Sequence, residues 1–247
     1  MDKRLALIFG GNGGIGSSAA RKLIEDGMHV CVTYSKNRDQ IDKIKADLNT
    51  PSELSEYKCN VLDSTELTKT VSDIIDTFGN IDVILFSLTS SLKNAKLTNL
   101  EWSDFQEHFE LQLKTLFHVT KALKEQMSGK HKTKFIVLLT EYCIGSPPKG
   151  LSYYLTSKYA AMGMAKSMAV ELAEYGSTVN MISPGMVETP LLDSLPSKLV
   201  EITAYQNPLK RNAVPEDVSN TISFLASDQS DYLNGANIVI NGGGKII

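Results

Sequence analysis

Apolar residues fall along this chain in two alternating rhythms. Short runs rich in Val, Ile and Leu occupy Leu5–Phe9, His29–Tyr34, Ile81–Ser87, Phe135–Thr140, Val179–Ser183 and Asn237–Ile240. Their length and β-branched content predict strands buried on both faces. Between them, Ser17–Asp26, Arg38–Leu48, Ser64–Phe78, Trp102–Met127, Tyr154–Tyr175 and Pro215–Ser227 place apolar residues three and four apart, the spacing of crossover helices. A strand-helix alternation sustained over the whole length predicts an α/β fold: a doubly wound parallel sheet of about seven strands, helices on both faces, one domain over 1–247. The stretch from 186 to 208 fits neither rhythm. It holds Pro190, Pro196 and Pro208 among apolar residues and is expected to be a lid or binding loop.

Composition narrows the function. With 25 basic and 28 acidic side chains, scattered rather than clustered, the chain offers no basic stripe for nucleic acid. Cys31, Cys59 and Cys143 are odd in number and widely spaced, which encodes neither a disulfide framework nor a zinc site. His29, His108, His118 and His131 likewise lack metal-ligand spacing. Five apolar residues after Met-Asp-Lys-Arg are too few for a signal segment, and no run approaches the ~18 residues of a membrane span. The expectation is a cytoplasmic protein with no metal, membrane or nucleic-acid partner.

Candidate chemistry begins directly after the first strand, with Gly10-Gly11-Asn12-Gly13-Gly14-Ile15-Gly16 opening a helix. Glycines at Gly10, Gly14 and Gly16 permit a tight turn and close ligand approach, and free amides at the helix start, with Asn12 and Ile15 beside them, favour a pyrophosphate. A carboxylate ending the second strand would bind the adenosine 2′-hydroxyl of NAD. None occurs before Asp39, whereas Ser35, Lys36 and Arg38 offer a hydroxyl and two cations to a 2′-phosphate. NADP(H) is expected ahead of NAD(H).

With these elements in place, the whole chain resembles the short-chain dehydrogenase/reductase superfamily, particularly its 3-oxoacyl-carrier-protein-reductase-like members. The likeness rests on Phe9–Gly16 against TGxxxGIG, Tyr154-Leu-Thr-Ser-Lys158 against YxxxK, Asn180-Met-Ile-Ser-Pro184-Gly185 with Val187 and Thr189, Pro208–Arg211, Phe224–Asp228, and Gly242-Gly243. It implies a ketone reductase in which Tyr154 donates the proton and Lys158, one helical turn on, lowers the tyrosine pKa and reaches the nicotinamide ribose. It further implies that Pro184, Val187 and Thr189 border the carboxamide, that Asn60 and Val61 lie at the adenine, and that the substrate is a small or carrier-bound carbonyl compound. A homotetramer or dimer is implied as well, formed through the outer faces of the Trp102–Met127 and Tyr154–Tyr175 helices.

Several positions depart from the family pattern. Phe9 replaces the usual Thr, Phe86-Ser87-Leu88-Thr89 stands for Asn-Asn-Ala-Gly, Asn60 for Asp, and Gln112 for the relay Asn, whose role is not transferred. The active-site serine position falls on Thr140 by strand register, which is preferred, or on Glu141 by spacing from Tyr154. Glu141 there would oppose reduction. These departures motivate an alternative, a degenerate subunit that binds cofactor and serves a partner.

Overall fold

The computed structural model describes residues 3–246; Met1, Asp2 and Ile247 of the expected 1–247 unit lie outside the described residues. Its strands are β1 (Leu5–Phe9), β2 (His29–Tyr34), β3 (Leu54–Lys58), β4 (Val83–Phe86), β5 (Lys134–Leu138), β6 (Thr178–Pro184) and β7 (Asn237–Ile240). All pair in parallel in one sheet, ordered β3-β2-β1-β4-β5-β6-β7. The helices are α1 (Gly14–Glu25), α2 (Asp39–Asp47), α3 (Ser64–Phe78), α4 (Trp102–Phe109), α5 (Thr115–Ala122), α6 (Lys124–Ser128), α7 (Ser152–Glu171), α8 (Ser197–Gln206) and α9 (Pro215–Ala226). No helix among the described residues is long and apolar enough to cross a membrane.

Alternation along each strand divides the core in two. In β1, Leu5, Leu7 and Phe9 point to one face, where Leu67, Val71 and Ile74 of α3, Leu116 and Val119 of α5 and Ala161 and Ala165 of α7 cover them. Ala6 and Ile8 point to the other, against Ala19, Ala20 and Leu23 of α1, Ile41 of α2 and Val218 and Ile222 of α9. Both faces are dry, which is why the central strands read as continuous apolar runs.

Three elements differ from the sequence expectation. β3 is Leu54-Ser-Glu-Tyr-Lys58, an edge strand with only Leu54 fully buried, so it carries no apolar run to detect. The segment 186–208 is not irregular: a 3₁₀ turn at Pro190–Ser194 leads into α8. The expected helix Trp102–Met127 is broken by a π turn over Glu110–Lys114, which turns Gln112 into the interior, where it is 6% exposed.

Candidate active site

The carboxyl ends of β1, β4, β5 and β6 meet at one rim. There the order reverses, β1 being followed by β2 on one side and β4 on the other, and a crevice opens. Gly10 leaves β1 at φ +87°, and a Cβ there would stand 2.5 Å from the Ser87 carbonyl oxygen just beyond β4. A Cβ on Gly16 would meet the Gly10 carbonyl at 2.2 Å, and one on Gly14 would stand 2.5 Å from Cγ2 of Thr189. The glycine turn is therefore packed against the start of the 186–208 segment. Gly13, the N-cap of α1, supplies no side-chain cap. The first amides of α1 are left for an anion, unlike those of α3, which Asp63 caps through Thr65 and Glu66. The turn thus fits a dinucleotide pyrophosphate, with Ile15 lining the crevice.

Asn12 has a structural task as well. Its Oδ1 accepts from the amides of Gln40 and Ile41 at the start of α2 (2.9 and 3.4 Å), and its Nδ2 bonds Asn37. Of the residues expected at the ribose, Ser35 and Lys36 are exposed at the loop after β2. Arg38, at the start of α2, is already paired: its guanidinium meets Glu56 on β3 (2.6 Å) and Asp42 (3.0 Å). The first of these carboxylates lies on the edge strand that the sequence pattern concealed. Asn60 is exposed and Val61 buried where β3 leads to α3, and Asn60 Oδ1 accepts from the Leu62 amide (3.2 Å).

Thr140, Tyr154 and Lys158 come together at a cleft of about 140 Å³, also lined by Ser87, Leu88, Thr89, Leu92, Leu139, Leu151, Pro184, Met186, Val187, Thr189, Leu191, Leu192 and Leu195. All three are buried. Thr140, two residues past β5, accepts the Tyr142 amide (3.4 Å) and hydrogen-bonds the Tyr154 phenol. Glu141 points out of this cleft: its Oε2 accepts from Asn241 Nδ2 at 3.1 Å. Strand register, not spacing from Tyr154, locates the hydroxyl.

Lys158 behaves differently from the expectation. Its Nζ donates to the carbonyls of Leu138 (2.7 Å) and Leu88 (3.5 Å) and to Gln112 Oε1 (3.2 Å), and lies 5.9 Å from the Tyr154 ring centre. Removal from water brings its pKa down to about 8. Tyr154 shifts upward, not downward as expected: burial outweighs the Thr140 hydrogen bond. The ammonium is spent on neutral acceptors, and the phenol stays in its acid form.

Residues beyond the sequence proposal complete the site. Gln112 Nε2 donates to the Leu88 carbonyl (2.6 Å), so its extra methylene brings the amide directly onto Lys158 and the β4 loop. Tyr153 pins that same loop: the Lys93 amide donates to its hydroxyl (2.5 Å), which donates to the Lys93 carbonyl (3.0 Å). His108 is buried, its ring 4.7 Å from that of Tyr153 and 6.1 Å from that of Tyr154, with Nδ1 unpartnered. Dispersed histidines carry no signal of such burial; only the inward turn of α4 reveals it.

Over residues 10–245 the chain matches the family described as enoyl-(acyl carrier protein) reductase. It is 31% identical over 242 residues to the 3-oxoacyl-[acyl-carrier-protein] reductase FabG of Staphylococcus aureus strain N315, with 96% of each chain covered. To FabG of Thermotoga maritima it is 30% identical over 244 residues, with 98% of each covered. The solved structure of ElxO with NADP bound matches with a TM-score of 0.88 at 25% identity, over 98% of each chain. A short-chain glucose/ribitol dehydrogenase from Brucella melitensis shares the fold at a TM-score of 0.89 and 24% identity, covering 100% of this chain and 98% of its own. With likeness running from the glycine turn to the last strand, this chain belongs to the short-chain dehydrogenase/reductase family and is an NAD(P)-dependent oxidoreductase.

Proposed function

We propose that the protein reduces a ketone to a secondary alcohol with NADPH, the substrate being a 3-oxoacyl thioester or a related specialised-metabolite ketone, free or carrier-bound. The observation that carries this reading is the meeting of Thr140, Tyr154 and Lys158 at one apolar cleft beside the uncapped α1 terminus. The names of the FabG relatives support the thioester class, and the NADP in the ElxO structure supports the cofactor.

The dinucleotide would lie along Gly10–Gly16, reach Ser35 and Lys36 at one end, with Asn60 and Val61 at the base, and meet Pro184, Val187 and Thr189 at the other, supplying the hydride when bound. Tyr154 gives its phenolic proton to the carbonyl oxygen. Burial keeps the phenol protonated and weakens it as an acid, and the Thr140 hydrogen bond works against that shift. Thr140 holds the carbonyl oxygen through its hydroxyl and stabilises charge developing there. Lys158, with a pKa of about 8, is able to take up or release a proton near neutrality beside Tyr154, and would hold the cofactor's ribose when it is bound. The leucines keep water out, and the 186–208 segment, as a lid, closes over the substrate.

The experiment is the loss of reduced-nicotinamide absorbance with a ketone panel. Tyr154→Phe should lower kcat/KM by about 10²–10⁴ and leave NADPH bound. A parent that binds NADPH and consumes no ketone would instead be the degenerate subunit.

A further inference from the structure

Behind the cleft lies a second chamber of about 380 Å³. Among the described residues only Tyr142, Gly185 and Met186 line both, so they stand between the two. The carboxyl of Glu141 lines this chamber in ordinary contact with Gly185, its Cδ 3.4 Å from where a Cβ there would stand. Asn241 occupies its Oε2, and among the described residues Oε1 has no hydrogen-bond partner. Asn212, 4% exposed, donates through Nδ2 to the Val200 carbonyl (3.3 Å) and leaves Oδ1 buried and unpaired.

The hydrogen bonds of the wall's cations go to other groups, although the charge of Lys245 still acts on Glu141. Arg211 pairs with Asp217 at 2.6 and 3.0 Å, and Lys245 Nζ donates to the Ser146 carbonyl (3.0 Å) while lying 4.6 Å from the Tyr142 ring centre. Among the acceptors left unspent here are one carboxylate oxygen of Glu141 and, buried beneath the wall, the amide oxygen of Asn212. A desolvated acceptor without a donor is costly, and one next to a substrate cleft is a recognition element. Burial pushes the Glu141 pKa up against the pull of Asn241 and Lys245, so the carboxylate is poorly solvated where it stands.

Resting on the ketone-reductase reading, we propose that the chamber is a substrate subsite for a hydrogen-bond-donating group at the far end of an apolar ketone, selected by Glu141. A hydroxyl, an amide N–H or an ammonium would each meet the need. The leucine-lined cleft holds the apolar middle of such a molecule, and the donor passes Tyr142 and Met186 to reach the carboxylate.

The test uses the purified protein with NADPH and four ketones of equal length ending in methyl, hydroxyl, primary amide or ammonium. At least one donor-ended ketone should show a KM about tenfold below the methyl-ended one, the size of one hydrogen bond to a charged group. The kcat values should stay together. Glu141→Ala should abolish the KM preference for every donor, whereas Glu141→Gln, which keeps an acceptor oxygen without charge, should abolish it only for ammonium. Asn212→Ala, read by the same ratio, serves if the Glu141 variants fail to fold by thermal unfolding. Equal KM values across the four ketones, or a preference that survives in folded variants, overturns the subsite and leaves the reductase standing. If NADPH binds and no ketone is consumed, the reductase reading fails and the subsite with it.

Discussion

At Lys158 the cost of the site is visible in a single side chain. A buried ammonium satisfied by neutral oxygens has its pKa held at about 8, below the ~10.4 of an exposed lysine. Between those values the unfolded chain binds more protons than the folded one, so folding stability contributed by this group rises with pH and is lowest below pH 8. Measured against Lys158→Met in denaturant titrations without cofactor, the parent should gain on the order of 3 kcal/mol between about pH 8 and pH 10.4. A flat difference would show that Lys158 is solvated. Cofactor choice also belongs to this scale. With Arg38 held by Glu56 and Asp42, Lys36 is the cation left for a 2′-phosphate. Lys36→Ala should therefore weaken NADPH by about 1.5–3 kcal/mol, with NADH little changed, and Glu56→Gln should tighten NADPH by releasing Arg38; equal losses for both cofactors would refute the assignment. That Thr140, Tyr154 and Lys158 meet at one cleft agrees with what the family resemblance implied, with strand register placing Thr140 and one helical turn separating the other two. The direction of the Tyr154 shift was not legible from sequence, since it is set by burial of the phenol, which only the folded cleft creates.

Two departures from the family pattern become one at the level of elements. Phe9 and Phe86 are register partners on β1 and β4, and their rings stack at 5.5 Å. The two rings pack as a pair, so each of these departures leans on the other for its packing. Sequence order separates them by 77 positions and hides the pairing. The same turn is sensitive to a methyl group. Gly14→Ala would drive its Cβ into Thr189 at 2.5 Å from Cγ2 and displace the start of the 186–208 segment. Both cofactor KM and kcat should worsen, and Thr189→Gly in the same chain should return part of the loss; no recovery would mean that the clash is not the cause. Long apolar strands and α3 were readable from periodicity alone. β3 and α8 were not, because an edge strand and an exposed helix need no apolar stripe of standard width.

For the whole molecule, the unanswered surface is the outer side of α4, α5 and α7. Trp102, Phe117, Tyr159 and Val170 stand exposed there, Val170 at 79%. We propose that these faces meet in a homodimer or tetramer, as the family resemblance implies. Light scattering should give a mass of two or four chains, and Phe117→Asp with Val170→Asp should reduce it; a monomeric parent would end the proposal. The architecture as a whole was legible because every crossover in a parallel sheet must be right-handed and covered, which leaves few arrangements for so regular an alternation.

The tie between Glu141 and Asn241 spans a hundred positions of chain, and β7 docks on β6 immediately before it. Part of the rear chamber's wall, within residues 240–245, is thus set in place by the seventh strand of the sheet, whereas the glycine turn, Tyr154 and Lys158 lie on other elements. Loosening that strand with Ile240→Gly should blunt discrimination among ketones, read as KM ratios, before it weakens nucleotide binding.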